Sequence, residues 1–439
     1  MTTLLDLSDS KICLWHNDLA VLSPGYVSFN GAGYSFGLTA QETSRRTPKA
    51  VNTRFWSQLS TQPLAPPLGP ARHTADLVHQ HLEALHASAQ APATCLVAVP
   101  ATMSREQLSL LLGIVQHLPF EIEGLIHRTA LLASMSGLSR GQHVELQLHQ
   151  TVVTAFEEHS GTAYARETQT LPGQGLLALQ DALATRISDI FVHQTRFDPL
   201  RSADNEQALY DALPALLAAL KASGESRLTL SGYDARITAE DLTRVGVQFS
   251  QQLEALLSAH DTVLLEDPLT LLPGLSLGAR SRPIDSGCLI NAALIHSDYL
   301  RQTPTALTLC CEVPCTRVEE HEVSQQRTTL TEPQANTSVA NRSADDLTTS
   351  NRSPNNQAPP SHYPTHLLLG HTAIPISAAA GLPAGVTLTR EGSMVSITGD
   401  IPVDLCVNDQ PAKPGQVLSA GDVLSDALEF CATLIYVEP

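Results

Sequence analysis

The chain has 439 residues and a formal net charge of −18, from 44 acidic and 26 basic residues. This length predicts about two to four domains, and the acidic charge argues against nonspecific binding to nucleic acid or anionic lipid, which both attract basic surfaces. The first residues lack the basic start and apolar run of a signal peptide, and no apolar run approaches the ~18 residues of a membrane helix. We therefore expect a cytoplasmic protein that binds neither nucleic acid nor membranes.

Strand-like and helix-like segments alternate over roughly the first 310 residues. The predicted elements are strands at 4–7, 11–15, 95–99 and 228–230 and helices at 106–117, 174–191 and 206–222. Ser104 and Gln107 have the spacing of a capping box before the first of these helices, and residues 144–153 (VELQLHQTVV) predict a hairpin with a tight turn. Strands separated by helices indicate an α/β architecture.

The composition changes at about residue 316. Residues 316–363 are rich in Ser, Thr, Asn, Gln and Pro, so they cannot bury enough surface to offset their chain entropy and are predicted to be a disordered linker. Short apolar strands separated by turn residues then follow to the end. The sequence thus predicts three parts, which are an α/β domain over 1–315, the linker over 316–363 and a small all-β sandwich over 364–439.

Several segments of the first part occur in the order found in one superfamily. They are LDLSDS (5–10), SPGYVSF (23–29), VAVPA (97–101), VELQLHQTVV (144–153), PGQG (172–175) and LTLSGYDARI (228–237). Together they resemble the actin-like ATPases, and among them the nucleotide-binding domain of the DnaK-type (Hsp70-like) heat-shock chaperones. The resemblance covers about 300 residues and implies a two-lobed nucleotide-binding fold. In that fold two hairpins and a glycine turn present backbone N–H groups to ATP.

The resemblance implies a nucleotide site that has lost most of its chemistry. The positions that remain as candidates for nucleotide contact are Asp6, Ser8, Ser10, Thr151 and Gly232. The departures are Ser8 for a glycine of the first hairpin, Leu148-His149-Gln150 for the glycines of the second, Gln58 for the catalytic lysine and Arg128 for the catalytic glutamate. Asp9 adds a negative charge that should repel phosphate. Because both glycine cradles and both catalytic side chains are replaced, no catalytic residue is assigned.

The C-terminal part resembles a forkhead-associated (FHA) domain. The similar segments are LGH (369–371), VNDQP (407–411) and LSAGDVL (418–424). Such domains read phosphothreonine with a cation and hydroxyl donors. His371 stands where the family has arginine, so the resemblance makes His371 the candidate phosphopeptide contact.

Three functions stay open at this point. The first is a pseudo-ATPase that acts without catalysis as a protein-binding scaffold or chaperone-like partner. The second is a chaperone-like ATPase with atypical phosphate loops, and the third is a phosphopeptide-binding adaptor that uses the C-terminal module. No metal ligand is assigned, and the only candidate cofactor is ATP or ADP with Mg²⁺.

Two further groups of side chains are interpreted as solvated. They are the histidines at 73, 79, 81 and 86, on one helix-like stretch, and the acidic pair Glu266-Asp267. Charged clusters of this kind usually face water.

Overall fold

The computed structural model describes residues 2–16, 19–90, 92–285, 287–303, 306–316, 364, 366–369, 372–376, 386–391, 394–399, 401–402, 405–407, 410–418, 422–425 and 431–435. The chain divides into two compact units, Met1–Arg317 and Val318–Pro439. Apart from Thr316, the predicted linker lies outside the described residues. Within the described residues, no helix is both long enough and apolar enough to cross a membrane.

The N-terminal unit is a mixture of helices and strands, which confirms the predicted α/β class. Its strands are β1 (Thr3–Asp6), β2 (Cys13–His16), β3 (Leu19–Leu22), β4 (Val27–Phe29), β5 (Tyr34–Phe36), β6 (Val51–Asn52), β7 (Pro63–Leu68), β8 (Ala71–His73), β9 (Thr94–Val99), β10 (Glu121–His127), β11 (Arg140–Leu146), β12 (Gln150–His159), β13 (Thr162–Pro172), β14 (Glu225–Leu230), β15 (Tyr233–Thr238), β16 (Thr262–Leu265), β17 (Ser281–Pro283), β18 (Leu309–Cys310) and β19 (Glu312–Pro314). Its helices are α1 (Gly37–Gln41), α2 (Thr74–Ala89), α3 (Arg105–Val115), α4 (Arg128–Ser134), α5 (Leu176–Thr195), α6 (Ala203–Ser223), α7 (Ala239–Glu254), α8 (Gly287–Ile295) and α9 (Ser297–Leu300).

Two large sheets in this unit share one strand order. The first sheet runs β3-β2-β1-β9-β10 and the second runs β13-β12-β11-β16-β17. In each sheet the first three strands are antiparallel, and the third, fourth and fifth are parallel. The unit therefore contains the same sheet pattern twice, and β1–β2 and β11–β12 are equivalent hairpins within it.

A short stretch of chain adds an edge strand to both sheets. Strand β18 pairs with β10 of the first sheet, and β19 pairs with β13 of the second. One residue, Cys311, separates the two strands. The last described residues of the unit thus connect the two sheets through backbone hydrogen bonds.

The predicted hairpins and the predicted capping box are confirmed. Asp6 lies opposite Cys13 in the first hairpin, and Leu146 lies opposite Thr151 in the second. At the start of α3 the Ser104 hydroxyl accepts the Gln107 N–H at 3.2 Å, and the Gln107 side-chain oxygen accepts the Ser104 N–H at 2.9 Å. A reciprocal cap of this kind satisfies two backbone donors that the helix itself leaves unpaired.

Separate apolar cores support the two sheets. Helix α3 buries Leu111 and Ile114 in the core of the first sheet. Helix α5 buries Leu179, Leu183 and Ile187 in the core of the second sheet, at the i, i+4, i+8 spacing of one helix face. Each such side chain contributes about 1.5–3 kcal/mol on burial, so the two sheets are held by their own helices, independently of the contacts between them.

The described residues of the C-terminal unit lie mainly in strands, as predicted. They are β20 (His366–Leu369), β21 (Thr372–Pro375), β22 (Val386–Glu391), β23 (Met394–Gly399), β24 (Cys406–Val407), β25 (Gln410–Pro411), β26 (Val417–Leu418), β27 (Val423–Ser425) and β28 (Cys431–Ile435). They form a six-stranded sheet, β21-β20-β28-β27-β24-β25, and a three-stranded sheet, β22-β23-β26. Buried side chains of both sheets form one core, with Val395 and Ile397 from the smaller sheet and Leu424 and Leu434 from the larger.

We predict that Gly175, the residue before α5, cannot be replaced by alanine without a large loss of stability. An added Cβ would lie 2.4 Å from the Gln150 nitrogen and 2.5 Å from the Leu148 carbonyl oxygen. Both are backbone atoms of the second hairpin and cannot move independently. Gly175→Ala should lower the free energy of unfolding by about 3 kcal/mol, the upper end of typical overpacking effects.

Gly173→Ala is the matched control. Gly173 has a φ of +75°, and an added Cβ there would meet no atom within 4 Å, so only the ~1 kcal/mol of left-handed backbone strain is expected. Denaturant unfolding of the full chain can be followed by tryptophan fluorescence, because Trp15 and Trp56 are the only two tryptophans and both lie in the N-terminal unit. Equal losses for the two variants would contradict the steric explanation.

Candidate functional site

The turns of the two equivalent hairpins contact each other directly. The Asp9 carboxylate accepts the backbone N–H of Leu148 at 2.8 Å. The Ser10 hydroxyl donates to the carbonyl of Leu146. Two consecutive residues of the β1–β2 turn therefore bond to backbone groups at the end of β11 and in the turn that follows it.

A buried ion cluster lies next to these contacts and centres on Arg128, the first residue of α4. Its Nε and Nη2 donate to the two carboxylate oxygens of Asp6, at 2.8 and 3.1 Å. Its Nη2 also donates to Glu266 Oε2 at 2.7 Å, and its Nη1 donates to Glu266 Oε1. Lys11 Nζ and His143 Nε2 contact the same Glu266 carboxylate, the latter at 2.7 Å.

The cluster joins the two sheets. Asp6 ends β1 of the first sheet, whereas Glu266 directly follows β16 of the second sheet. Arg128, Asp6 and Glu266 are 2%, 4% and 6% exposed. Burying such charges is costly unless every one is paired and hydrogen-bonded, and the planar guanidinium achieves this with a two-point contact to each carboxylate.

A third carboxylate, Glu145 of β11, extends the cluster. It lies 3.7 Å from the Arg128 guanidinium. Its Oε1 accepts the Ser8 hydroxyl at 3.1 Å and the Gln147 amide at 2.9 Å. The same amide nitrogen lies 2.9 Å from the Thr102 hydroxyl. The polar side chains at this junction are thus satisfied by one another.

Little open space lies beside the hairpin contact. A cavity of about 40 Å³ there is lined by Asp9, Trp56, Thr102, Gln147 and Gln150 among others. Such a volume has room for water, but it is far below the ~300 Å³ at the lower end of small-molecule pockets. No group of three or more His, Cys, Asp or Glu side chains within the described ranges is arranged to hold a metal ion.

Ionisation in the site follows from burial and pairing. Burial raises the pKa of Asp9 to about 7, although the hydrogen bond from Leu148 opposes this shift. Burial also works against the charge of Glu266, but the charges of Arg128 and Lys11 outweigh it and hold the pKa of Glu266 well below its usual range. Burial lowers the pKa of His127, the residue before Arg128, to about 4, so this imidazole is neutral near pH 7.

A second set of contacts lies near α1. It joins the two halves of the unit, which are the parts built on the first and on the second sheet. The Arg45 guanidinium lies 2.8 Å from the Asp181 carboxylate of α5 and stacks 3.6 Å from the ring centre of Tyr210 of α6. The Arg45 backbone N–H donates to the Gln207 side chain at 2.8 Å. The segment after α1 is therefore held against the helices of the second sheet.

Four of the five predicted nucleotide contacts lie in the two hairpins. Asp6, Ser8 and Ser10 belong to the first hairpin, and Thr151 lies in β12 of the second, where its hydroxyl donates to the Gln174 carbonyl. All four side chains bond to other groups of the protein. Gly232 lies elsewhere, in the β14–β15 turn, with a φ of +81°.

The predicted phosphopeptide contact cannot be placed. His371 lies outside the described residues, as do Asn408 and Gly421 of the FHA-like segments.

The interpretation of Glu266 as a solvated acidic residue is wrong. The residue is buried because it directly follows the apolar strand β16, which lies beside β11 in parallel. An acidic residue at the carboxyl end of a buried parallel strand commonly points into a site, and this position was the available signal. The surface interpretation of His81 is also wrong, because it is fully buried between the Trp56 indole, which donates to it at 2.9 Å, and the Ser23 hydroxyl, at 2.7 Å.

No protein-family model matches the chain, and no curated protein does. Its function is therefore inferred from the geometry of the site.

We predict that Arg128→Met lowers the free energy of unfolding by about 3–5 kcal/mol, because it leaves the buried Asp6 carboxylate without its ionic partner and leaves Glu266 with only Lys11 and His143. Denaturant unfolding followed by tryptophan fluorescence measures this loss. The control is Arg166→Met, which removes a surface ion pair with Glu157 whose side chains are 47% and 50% exposed and should cost about 0–1 kcal/mol. If Arg128→Met lowers the free energy of unfolding by no more than Arg166→Met does, the assigned role of the cluster is contradicted.

We predict that Asp9→Asn stabilises the protein at pH 8 and not at pH 4. The pKa of Asp9 is raised from 3.8 to about 7 by folding. The cost of its buried charge is therefore fully present above about pH 7 and disappears as the pH falls towards 4. Asparagine retains an oxygen for the Leu148 N–H without the charge, so the gain at pH 8 should approach about 4 kcal/mol.

Unfolding of the parent chain and the variant at several pH values tests this expectation. Asp9→Ala is the comparison, because it removes the charge but also the acceptor, and an unpaired Leu148 N–H costs about 1–3 kcal/mol. It should therefore gain less than Asp9→Asn at pH 8. A difference between Asp9→Asn and the parent that does not change with pH would rule out a buried ionised Asp9.

Proposed function

We propose that the N-terminal unit is a two-lobed fold of the actin/DnaK type that has lost ATP turnover and serves as a protein-binding scaffold. The repeated strand order supports the two-lobed fold, since it gives the unit two equivalent sheets. The equivalent hairpins β1–β2 and β11–β12 then correspond to the two phosphate hairpins of the family that the sequence resembles.

The contact between Asp9 and Leu148 is the observation that carries the proposal. In the resembled family, N–H groups of the hairpin turns bind phosphate. Here the Leu148 N–H is occupied by a carboxylate of the protein itself, at 2.8 Å. A nucleotide phosphate would have to displace this carboxylate and would then face its negative charge, which favours a site that holds no nucleotide.

The ion cluster argues against hydrolysis for a separate reason. Arg128 occupies the aligned position of the catalytic glutamate and cannot act as a base. The Asp6 carboxylate, which would be needed near Mg²⁺, receives two hydrogen bonds from Arg128. Releasing Asp6 to a metal ion would leave a buried guanidinium partly unpaired, at a cost of several kcal/mol.

A scaffold role agrees with the way the two halves are joined. The hairpin contacts, the Arg128 cluster and the Arg45 contacts all connect them, which supports a rigid platform rather than a cleft that opens in each cycle. The C-terminal module, which resembles an FHA domain, would add a second contact with the same protein partner. The segment 316–363 would set the effective concentration of that second contact.

We predict that the full chain takes up no Mg-ATP or Mg-ADP in calorimetric titrations up to about 1 mM, which corresponds to a binding free energy weaker than about −4 kcal/mol. The full chain should release phosphate from ATP no faster than the Asp6→Ala variant, which serves as the matched background. Micromolar nucleotide binding that is lost in Asp6→Ala would instead establish the ATP-binding alternative.

The behaviour of a bound partner gives an independent test. A chaperone-like ATPase releases or retains its client according to the nucleotide. A protein that co-purifies with the full chain should therefore remain bound when Mg-ATP is added. Release by Mg-ATP, but not by Mg²⁺ alone, would contradict the scaffold proposal.

A further inference from the structure

An open hollow lies between α2 and α3, separate from the hairpin site. Its volume is about 540 Å³, within the range of small-molecule sites. It is bounded by the end of β8, the first turns of α2 and the last turns of α3. Leu110 and Ile114 of α3 provide apolar surface, and its polar wall consists of Arg72, His73, Asp76, His79, Gln80 and His117.

The wall is rich in groups that can carry positive charge. Arg72, His73, His79 and His117 face one acidic side chain, Asp76. Four neighbouring side chains that can carry positive charge stand out in a chain with a net charge of −18. Arg72 Nε also lies 3.7 Å from the Asp76 carboxylate, so the wall combines one ion pair with three histidine rings, whose N–H groups can donate to an anionic ligand.

The acidic side chain is already engaged within the wall. Asp76 Oδ2 accepts the backbone N–H of Arg72 at 2.8 Å, and its Oδ1 lies 3.1 Å from His73 Nδ1. The Asp76 carboxylate thus helps to position Arg72 and His73 at the edge of the hollow. The N-terminus of α2, a helix of 16 residues, adds the positive end of its dipole to the same side.

We propose that this α2–α3 hollow binds a small organic anion. Its apolar body would pack against Leu110 and Ile114, and its carboxylate, sulfonate or phosphate group would face Arg72, His79 and His117. Charge-assisted hydrogen bonds from guanidinium and imidazolium groups to such an oxyanion are short and strong. The proposal is independent of whether the hairpin site binds nucleotide.

Gly113 provides a way to fill the hollow without disturbing the fold. It lies in α3 and lines the hollow, and an added Cβ would meet no atom within 4 Å. Replacing a helical glycine removes a cost of about 1 kcal/mol from the helix. Gly113→Leu should therefore obstruct the hollow while α3 stays folded, and Gly113→Ala should leave most of the space open.

Titration of the full chain with 8-anilinonaphthalene-1-sulfonate, which joins an apolar body to an anionic group, tests the proposal. We expect saturable binding of the dye. Gly113→Leu and the triple variant Arg72→Gln/His79→Gln/His117→Gln should each weaken it about tenfold, which equals about 1.4 kcal/mol. Gly113→Ala should bind the dye like the parent chain.

The controls separate this site from adsorption of the dye elsewhere. The double variant His193→Gln/Arg244→Gln removes an exposed histidine and an exposed arginine outside the hollow and should leave the affinity unchanged. Tryptophan fluorescence of each variant verifies that the N-terminal unit is folded. Equal affinity in the parent, Gly113→Leu and the triple variant would overturn the proposal.

Discussion

The pairing of Arg128 with Asp6 and Glu266 is the interaction on which the arrangement of the N-terminal unit depends. One carboxylate belongs to each sheet, and one guanidinium joins both. Because each charge is buried, a small separation of the sheets would leave at least one charge without a partner, at a cost of several kcal/mol. Each sheet has its own core, and this cluster joins the two sheets together with a smaller apolar cluster of Tyr26, Ala40 and Leu148. An enzyme that opens for its substrate would have to break it in every cycle.

Local features of the fold could be predicted from the sequence, and contacts between distant residues could not. The hairpin at 144–153 follows from its alternating pattern, and the start of α3 follows from Ser104 and Gln107. The partner of Arg128 lies 138 residues away, and nothing in the neighbourhood of Glu266 specifies that contact. His81 looked like a surface residue because sequence spacing alone does not reveal the indole that donates to it. The resemblance implied two hairpins in a two-lobed fold, whereas the strand order that the two sheets share emerged only from the structure.

Asp9 of the first hairpin binds a backbone donor of the second hairpin. The sequence indicated that its charge would repel phosphate, and the structure gives it a definite position on the Leu148 N–H. The backbone donor is therefore satisfied without any ligand. The first hairpin thus supplies a carboxylate to a backbone donor of the second hairpin, which helps to hold the two turns together.

The short strands β18 and β19 have a mechanical consequence. The chain runs from an edge of one sheet to an edge of the other and then leaves the unit at Thr316. Tension applied through the chain beyond Thr316 would be carried first by the backbone hydrogen bonds of β19 and then by those of β18. Only a few residues pair in each strand, but Val313 of β19 is fully buried in an apolar cluster with Leu4 and Ile126. A pulling force on this segment would therefore reach the interior of the unit as well as its edge strands.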